Sequence, residues 1–165
     1  MSKPFVRPGT LNDATGYNAC LGRVAEERRY IGVVTCPAVE GSREWIKSLL
    51  DSQSPFYVVE ERDNIIGWCD VARRSREGFS HAAELGMGLD LEYRGQGLGN
   101  ELLKHVIEAS KACGIEKVEL DVFGSNTAAR KLYERFGFTV DGIKPKARKL
   151  DGVYDDIVCM SLFLV

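Results

Sequence analysis

Arg94-Gly95-Gln96-Gly97-Leu98-Gly99 is the stretch on which the reading of this chain turns. Its three glycines lead into Leu98, Leu102, Leu103, Val106 and Ile107, which fall on one helical face, and Gly114 supplies a stop. The spacing predicts a helix over Gly97 to Cys113. A glycine-rich turn at a helix start leaves backbone N–H groups unpaired, where the helix dipole favours an anion such as a phosphate. Arg94 adds a fixed positive charge. Just upstream, Gly86-Met87-Gly88-Leu89 reads as a strand with little side-chain bulk, able to show its backbone to an extended ligand. A Rossmann fingerprint requires Gly-x-Gly-x-x-Gly, but from Gly95 the spacing is Gly-x-Gly-x-Gly. A P-loop requires Gly-Lys-Ser/Thr, but Asn100 follows Gly99. With neither fingerprint met, a nucleotide-binding module is disfavoured, and a plain strand-to-helix turn is the structural alternative.

The rest of the composition narrows the class. The chain has 165 residues, 44% hydrophobic and 28% charged, with a net charge of −2. That suits one domain spanning 1–165 with its own core, and gives no general attraction to nucleic acid or anionic membranes. Cys20, Cys36, Cys69, Cys113 and Cys159 are odd in number and contain no Cys-x-x-Cys pair, which argues against a disulfide framework and fits a reducing cytoplasm. With only His81 and His105 besides, no metal site is expected. No apolar run approaches the ~18 residues of a membrane span, and the N-terminus opens no signal-peptide core.

Along the chain, Phe5 to Pro8 reads as a short edge strand. Asn12 or Asp13 can cap a helix with Ala14, Tyr17, Leu21 and Val24 on one face. Cys36-Pro37 breaks the chain, and a second helix is expected after Ser42 with Trp45, Ile46, Leu49 and Leu50 inward. Phe56 to Glu60 and Ile65 to Val71 read as a hairpin turning at Asp63-Asn64. Arg73 to Ser80 reads as a polar loop, and His81 to Leu89 as a strand. After the long helix come a strand from Lys117 to Val122, a short helix from Asn126 to Phe136 and strands on either side of an Asp151-Gly152 turn. This order predicts an α/β (α+β three-layer) domain: a mixed, mostly antiparallel central sheet with helices on both faces.

The glycine-rich turn resembles the pyrophosphate-binding motif of the GNAT superfamily of acetyl-CoA-dependent N-acetyltransferases. A second block, Asn126-Thr127-Ala128-Ala129-Arg130-Lys131-Leu132-Tyr133-Glu134-Arg135-Phe136-Gly137-Phe138, is similar to that superfamily's Asn-x-x-Ala-x-x-Leu-Tyr-x-x-x-Gly-Phe element. The two blocks stand in the family's order, and the resemblance covers nearly the whole chain. It implies that acetyl-CoA lies in a V between two strands, near Leu89 and Val122. The backbone of Met87, Gly88 and Leu89 would pair with the pantetheine arm, the N–H groups from Arg94-Gly95-Gln96-Gly97-Leu98-Gly99-Asn100 would hold the pyrophosphate, and Asn126 would bond a pantetheine amide. Asn126 is also a natural N-cap.

The same resemblance implies Tyr133 as the general acid that protonates the departing thiolate, although its spacing with Ala129, Leu132 and Phe136 equally suits a core aromatic. An amine must arrive neutral. Glu84 is the first candidate base, because a glutamate in this place is the proposed base in the phosphinothricin-acetyltransferase-like branch. Asp121 is the second, where ribosomal-protein acetyltransferases carry a glutamate. His105, four residues after Glu101, reads as its solvated partner; Arg73, Arg74 and Arg76 read as a solvated cluster. Arg28-Arg29-Tyr30 falls where relatives build the acceptor wall, and an arginine there could receive a carboxylate. The segment Asp151-Gly152-Val153-Tyr154-Asp155-Asp156 looks most like that of bacterial amino-acid N-acetyltransferases. The expectation is acetyl transfer to a small-molecule amine, with a protein N-terminus or lysine, or a non-catalytic acyl-CoA sensor, as alternatives. A homodimer is implied only by resemblance.

Overall fold

The computed structural model describes residues 2–165. Seven strands form one sheet: β1 (Phe5–Pro8), β2 (Phe56–Glu61), β3 (Asn64–Arg73), β4 (Ala82–Leu89), β5 (Lys117–Phe123), β6 (Thr139–Leu150) and β7 (Val153–Phe163). Their spatial order is β1-β2-β3-β4-β5-β7-β6. Every neighbouring pair is antiparallel except β4 and β5, which run parallel. Four α-helices complete the chain: α1 (Ala14–Glu26), α2 (Val39–Asp51), α3 (Leu98–Ala112) and α4 (Thr127–Arg135). This is the expected mixed sheet between two helical layers.

Side-chain alternation along the strands builds two cores. On one face Cys69, Val71, Ala83, Leu85, Val118, Leu120 and Val122 pack with Leu98, Leu102, Leu103 and Val106 of α3 and with Tyr133 of α4. On the other, Phe56, Val58, Ile65 and Trp68 pack with Ala14, Tyr17, Leu21 and Val24 of α1 and with Ile46 and Leu49 of α2. The apolar faces read from the helical periods of α1 and α3 are therefore the buried ones.

Three expectations shift. The β2–β3 turn sits at Arg62 and Asp63, both left-handed (φ 49° and 63°), one residue before the predicted Asp63-Asn64; Asn64 instead starts β3 and braces the turn by donating from Nδ2 to the Arg62 carbonyl at 2.9 Å. Helix α2 begins at Val39, directly after the extended Ala38, rather than after Ser42. Trp45 and Leu50, predicted inward, are each 40% exposed: α2 turns only about one apolar position per turn, Ile46 and Leu49, into the core it shares with α1.

The outer edges of the sheet are irregular. The four-residue β1 closes on Pro8. On β6 the register with β7 slips between Lys144 and Arg148, around Pro145 and a left-handed Lys146 (φ 52°).

Candidate active site

The parallel pair β4–β5 is the origin of the site. The two strands are in register only at Ala82–Lys117, Ala83–Val118 and Glu84–Glu119. Beyond Glu84 they part, because β4 stays in ladder with β3 as far as Leu89 while β5 stays in ladder with β7 as far as Phe123. Each strand is held on its outer side, so the inner edges of Leu85–Leu89 and Asp121–Phe123 have no strand partner.

A cavity of about 640 Å³ occupies this gap. It is walled on the α3–α4 side by Gly95, Gly97, Gly99, Asn100, Asn126, Leu132 and Tyr133, and on the α1 side by Val24, Tyr30, Ile31 and Gly32. The gap thus connects the two faces of the sheet.

The glycine-rich turn meets the requirement set by its sequence. Gly95 and Gly97 are left-handed, with φ 74° and 86°, and Gly97 is the N-cap of α3. A glycine cap carries no side chain to satisfy the first turn of the helix, so the N–H groups of Leu98, Gly99 and Asn100 are left for a ligand. At Gly99 a Cβ would stand 3.4 Å from Leu132, in ordinary van der Waals contact, so the packing of α3 on α4 does not itself require a glycine there. Within the segment, Gln96 turns its amide back to the Glu92 carbonyl (3.0 Å) and Leu98 is buried in the core; neither side chain lines the cavity. The Arg94 guanidinium, although at the rim, is committed to Glu27 (2.8 and 2.5 Å) and to the Leu89 carbonyl (2.8 Å), and lies 4.8 Å from the Tyr30 ring centroid. It ties the end of β4 to α1 and is already paired.

On the opposing wall, Asn126 caps α4 by accepting from the Ala129 N–H at 3.2 Å. The cap occupies its Oδ1 and leaves the side-chain NH₂ for the cavity. Tyr133 lines the cavity and rests against Phe138, ring centroids 5.7 Å apart. Burial, with a smaller effect from the Cys69 thiol, pushes its phenol well above the usual value, so it stays protonated. Met87, Gly88 and Leu89 line the β4 side. A Cβ at Gly88 would clash with the Trp68 ring at 2.3 Å, which explains the glycine.

The two carboxylates predicted as bases fall in different places. Asp121 lines the cavity, with Lys144 Nζ at 3.2 Å. Glu84 lies on the closed side of the fork, outside the cavity lining, with its carboxylate 3.7 Å from Arg74. Arg74 is bonded more closely to Glu119, at 2.8 Å. The arginine cluster is therefore not simply solvated: Arg73 donates to the Cys113 carbonyl at 2.5 Å, and Arg74 joins β3 to β5. His105 interacts through Nδ1 with the backbone carbonyl of Glu101 (2.8 Å) rather than with its carboxylate.

Sequence reasoning missed the wall made by Ile31 and Gly32, which no periodicity marks, and the ties that hold it. Arg28 forms a two-pronged bond with Asp151 of the β6–β7 turn (3.0 and 2.9 Å), and Arg148 donates to the Arg29 carbonyl (3.4 Å) while stacking 3.7 Å over Phe123. It also missed Asp70, a carboxyl on the α1 face of β3 that is 4% exposed. An acidic residue amid the otherwise apolar run Ile65 to Val71 was the available signal.

No group of three or more His, Cys, Asp or Glu residues arranged to hold a metal occurs among the described residues, and none of their helices is long and apolar enough to cross a membrane. The model of the acetyltransferase (GNAT) family matches residues 20–138. The L-amino acid N-acetyltransferase AaaT of Escherichia coli is 27% identical over 163 residues, covering 98% of both chains. The [ribosomal protein bS18]-alanine N-acetyltransferase of Haemophilus ducreyi is 32% identical over 127 residues, 73% of this chain and 83% of that one. A phosphinothricin acetyltransferase of Sinorhizobium meliloti, solved in complex with AcCoA, shares the fold with a TM-score of 0.91 at 19% identity, over 98% of this chain and 89% of that one. A forked parallel strand pair, a bare glycine cap facing it and a family match spanning both converge on one assignment: the chain belongs to the GNAT family and is an acetyl-CoA-dependent N-acetyltransferase.

Proposed function

We propose that this enzyme acetylates the amine of a small amino acid or amino-acid analogue by direct attack on acetyl-CoA. The observation that carries the reading is the clasp across the acceptor side: Arg28 bound to Asp151, and Arg148 to the Arg29 carbonyl, hold the Tyr30–Gly32 wall against the β6–β7 hairpin. A protein substrate requires an open groove at this point, whereas a free amino acid fits behind a closed wall. One further feature agrees: the relative AaaT is named for L-amino acids. Arg148 itself is already paired within the hairpin, its Nη2 standing 3.5 Å from Asp155 Oδ2.

In this reading the N–H groups of the Gly95–Asn100 turn hold the pyrophosphate, the unpaired edge at Met87, Gly88 and Leu89 receives the pantetheine arm, and the Asn126 amide donates to it. The thioester carbonyl carbon then lies in the gap with Tyr133 on one side and the acceptor on the other. The amine forms the C–N bond, the C–S bond breaks, and the phenol of Tyr133 gives the thiolate its proton. Asp121 faces the acceptor side and Glu84 lies beyond it; each is near a cation, so taking a proton costs either an ion pair.

The test is thiol release from acetyl-CoA with a panel of free amino acids, polyamines and short peptides. Turnover is expected with one or more free amino acids. Preference for peptides carrying N-terminal alanine would replace this reading with protein acetylation. Tight acetyl-CoA binding without turnover on any amine would make the chain a sensor.

A further inference from the structure

Asp70 is a buried acid that no ion pair explains. It sits in β3 directly opposite Gly86 of β4, on the α1 face of the sheet. Gly86 lines the cavity, and on its α1 face nothing stands closer than Asp70: a Cβ there would be 3.8 Å from both carboxylate oxygens. The missing side chain therefore leaves a notch in the strand wall, with the cavity on one side and the Asp70 carboxyl on the other. Because Trp68 fills the equivalent space over Gly88, the notch is confined to position 86.

We propose that the Asp70 carboxylate, reached through the notch over Gly86, is the group that takes the proton from the acceptor ammonium. The role rests on the acetyltransferase reading above. R–NH₃⁺ and Asp70–COO⁻ become R–NH₂ and Asp70–COOH. The neutral amine forms the C–N bond as the C–S bond breaks; of its two remaining protons one stays on the amide nitrogen and one passes to solvent, while the thiolate gains a proton from Tyr133. Asp70 and Tyr133 then re-equilibrate with solvent, so that one proton is released per acetyl transferred.

The surroundings suit the task. From α1 the carboxyl faces Tyr17, from α2 the Trp45 indole, from β4 Glu84 with its partner Arg74; the Cys69 thiol is its neighbour along β3. Burial dominates and pushes Asp70 up to about 7; Trp45 opposes this and the negative Glu84 adds to it. A base of that strength is partly ionised at neutral pH and still basic enough to hold a proton. Unlike Glu84 and Asp121, Asp70 breaks no ion pair when it is protonated.

Two measurements test this. In the wild-type chain, kcat/KM should rise through an inflection near pH 7, and Asp70→Asn should lower it about 10²-fold and remove that inflection, leaving only the rise at higher pH from the amine itself, with acetyl-CoA affinity unchanged. Separately, tryptophan fluorescence of the wild type should titrate near pH 7 through Trp45 and Trp68. Absence of that transition, a D70N enzyme with undiminished turnover, or an inflection that survives in D70N and disappears in Glu84→Gln would each overturn the role. Failure of the wild type to acetylate any amine would instead sink the acetyltransferase reading and the proton role together.

Discussion

Tyr133 and Asp70 occupy opposite faces of the sheet, and burial shifts both in the direction that favours their neutral forms. In the donor role proposed for the Tyr133 phenol, this keeps the proton in place until a thiolate forms. Tyr133→Phe removes one oxygen from a packed ring and should leave thermal stability close to wild type. Its kcat should fall ~10²-fold with little change in KM for acetyl-CoA, as read by thiol release. For Asp70 the same burial carries a stability cost. The folded carboxyl titrates at about 7 against 3.8 for the unfolded chain, so between these values the folded state holds the extra proton and stability falls as pH rises. Below about pH 4 the effect vanishes; above 7 it is fully present. Asp70→Asn should therefore melt several degrees above wild type at pH 8, with the gain shrinking toward pH 4, in parallel thermal scans. Tyr133 was visible in the sequence because its motif is contiguous. Asp70 was not, because its partner Gly86 is brought opposite only by strand pairing.

At the scale of elements, the glycine-rich turn couples conformation to binding. Gly97 has open space around its missing Cβ, so the cost of Gly97→Ala comes from the left-handed backbone alone, about 1–2 kcal/mol. Relief of that strain would turn the first N–H groups of α3 away from their common point. Denaturation should show the loss of stability, and titration with acetyl-CoA a weakening of about tenfold or more. The periodicities of α1 and α3 were legible because one face of each meets the sheet. The α2 assignment strayed at Trp45 and Leu50 since this helix packs chiefly against α1 and buries a narrower stripe than its apolar residues suggest. The turn at Arg62-Asp63 was misplaced by one residue because Asp and Asn both tolerate left-handed backbone, so composition did not decide between adjacent registers.

Across the whole molecule, Arg28 and Asp151 are 123 positions apart in sequence and meet at the surface over the acceptor side. Both are solvent-exposed, so breaking the pair should leave the melting temperature unchanged. On the proposed function, Arg28→Ala should instead raise KM for a free amino-acid acceptor several-fold and admit dipeptides, while KM for acetyl-CoA holds; steady-state kinetics with each substrate varied separates the two. The splay of β4 from β5 could be expected from the resemblance, but the clasp that narrows its far side depends on long-range pairing that no local pattern encodes.

The two outer edges of the sheet differ from the inner fork in one respect. A strand arriving at β1 meets four residues ending in Pro8, and one arriving at β6 meets a slipped ladder with Pro145, Lys144 and Lys146 at the slip. Neither offers a regular row of donors and acceptors for another chain to extend, which is how folded proteins resist edge-to-edge aggregation. The fork does offer such a row, recessed between helices where a second sheet cannot follow. The molecule can therefore carry an open length of β-backbone without that backbone seeding aggregates.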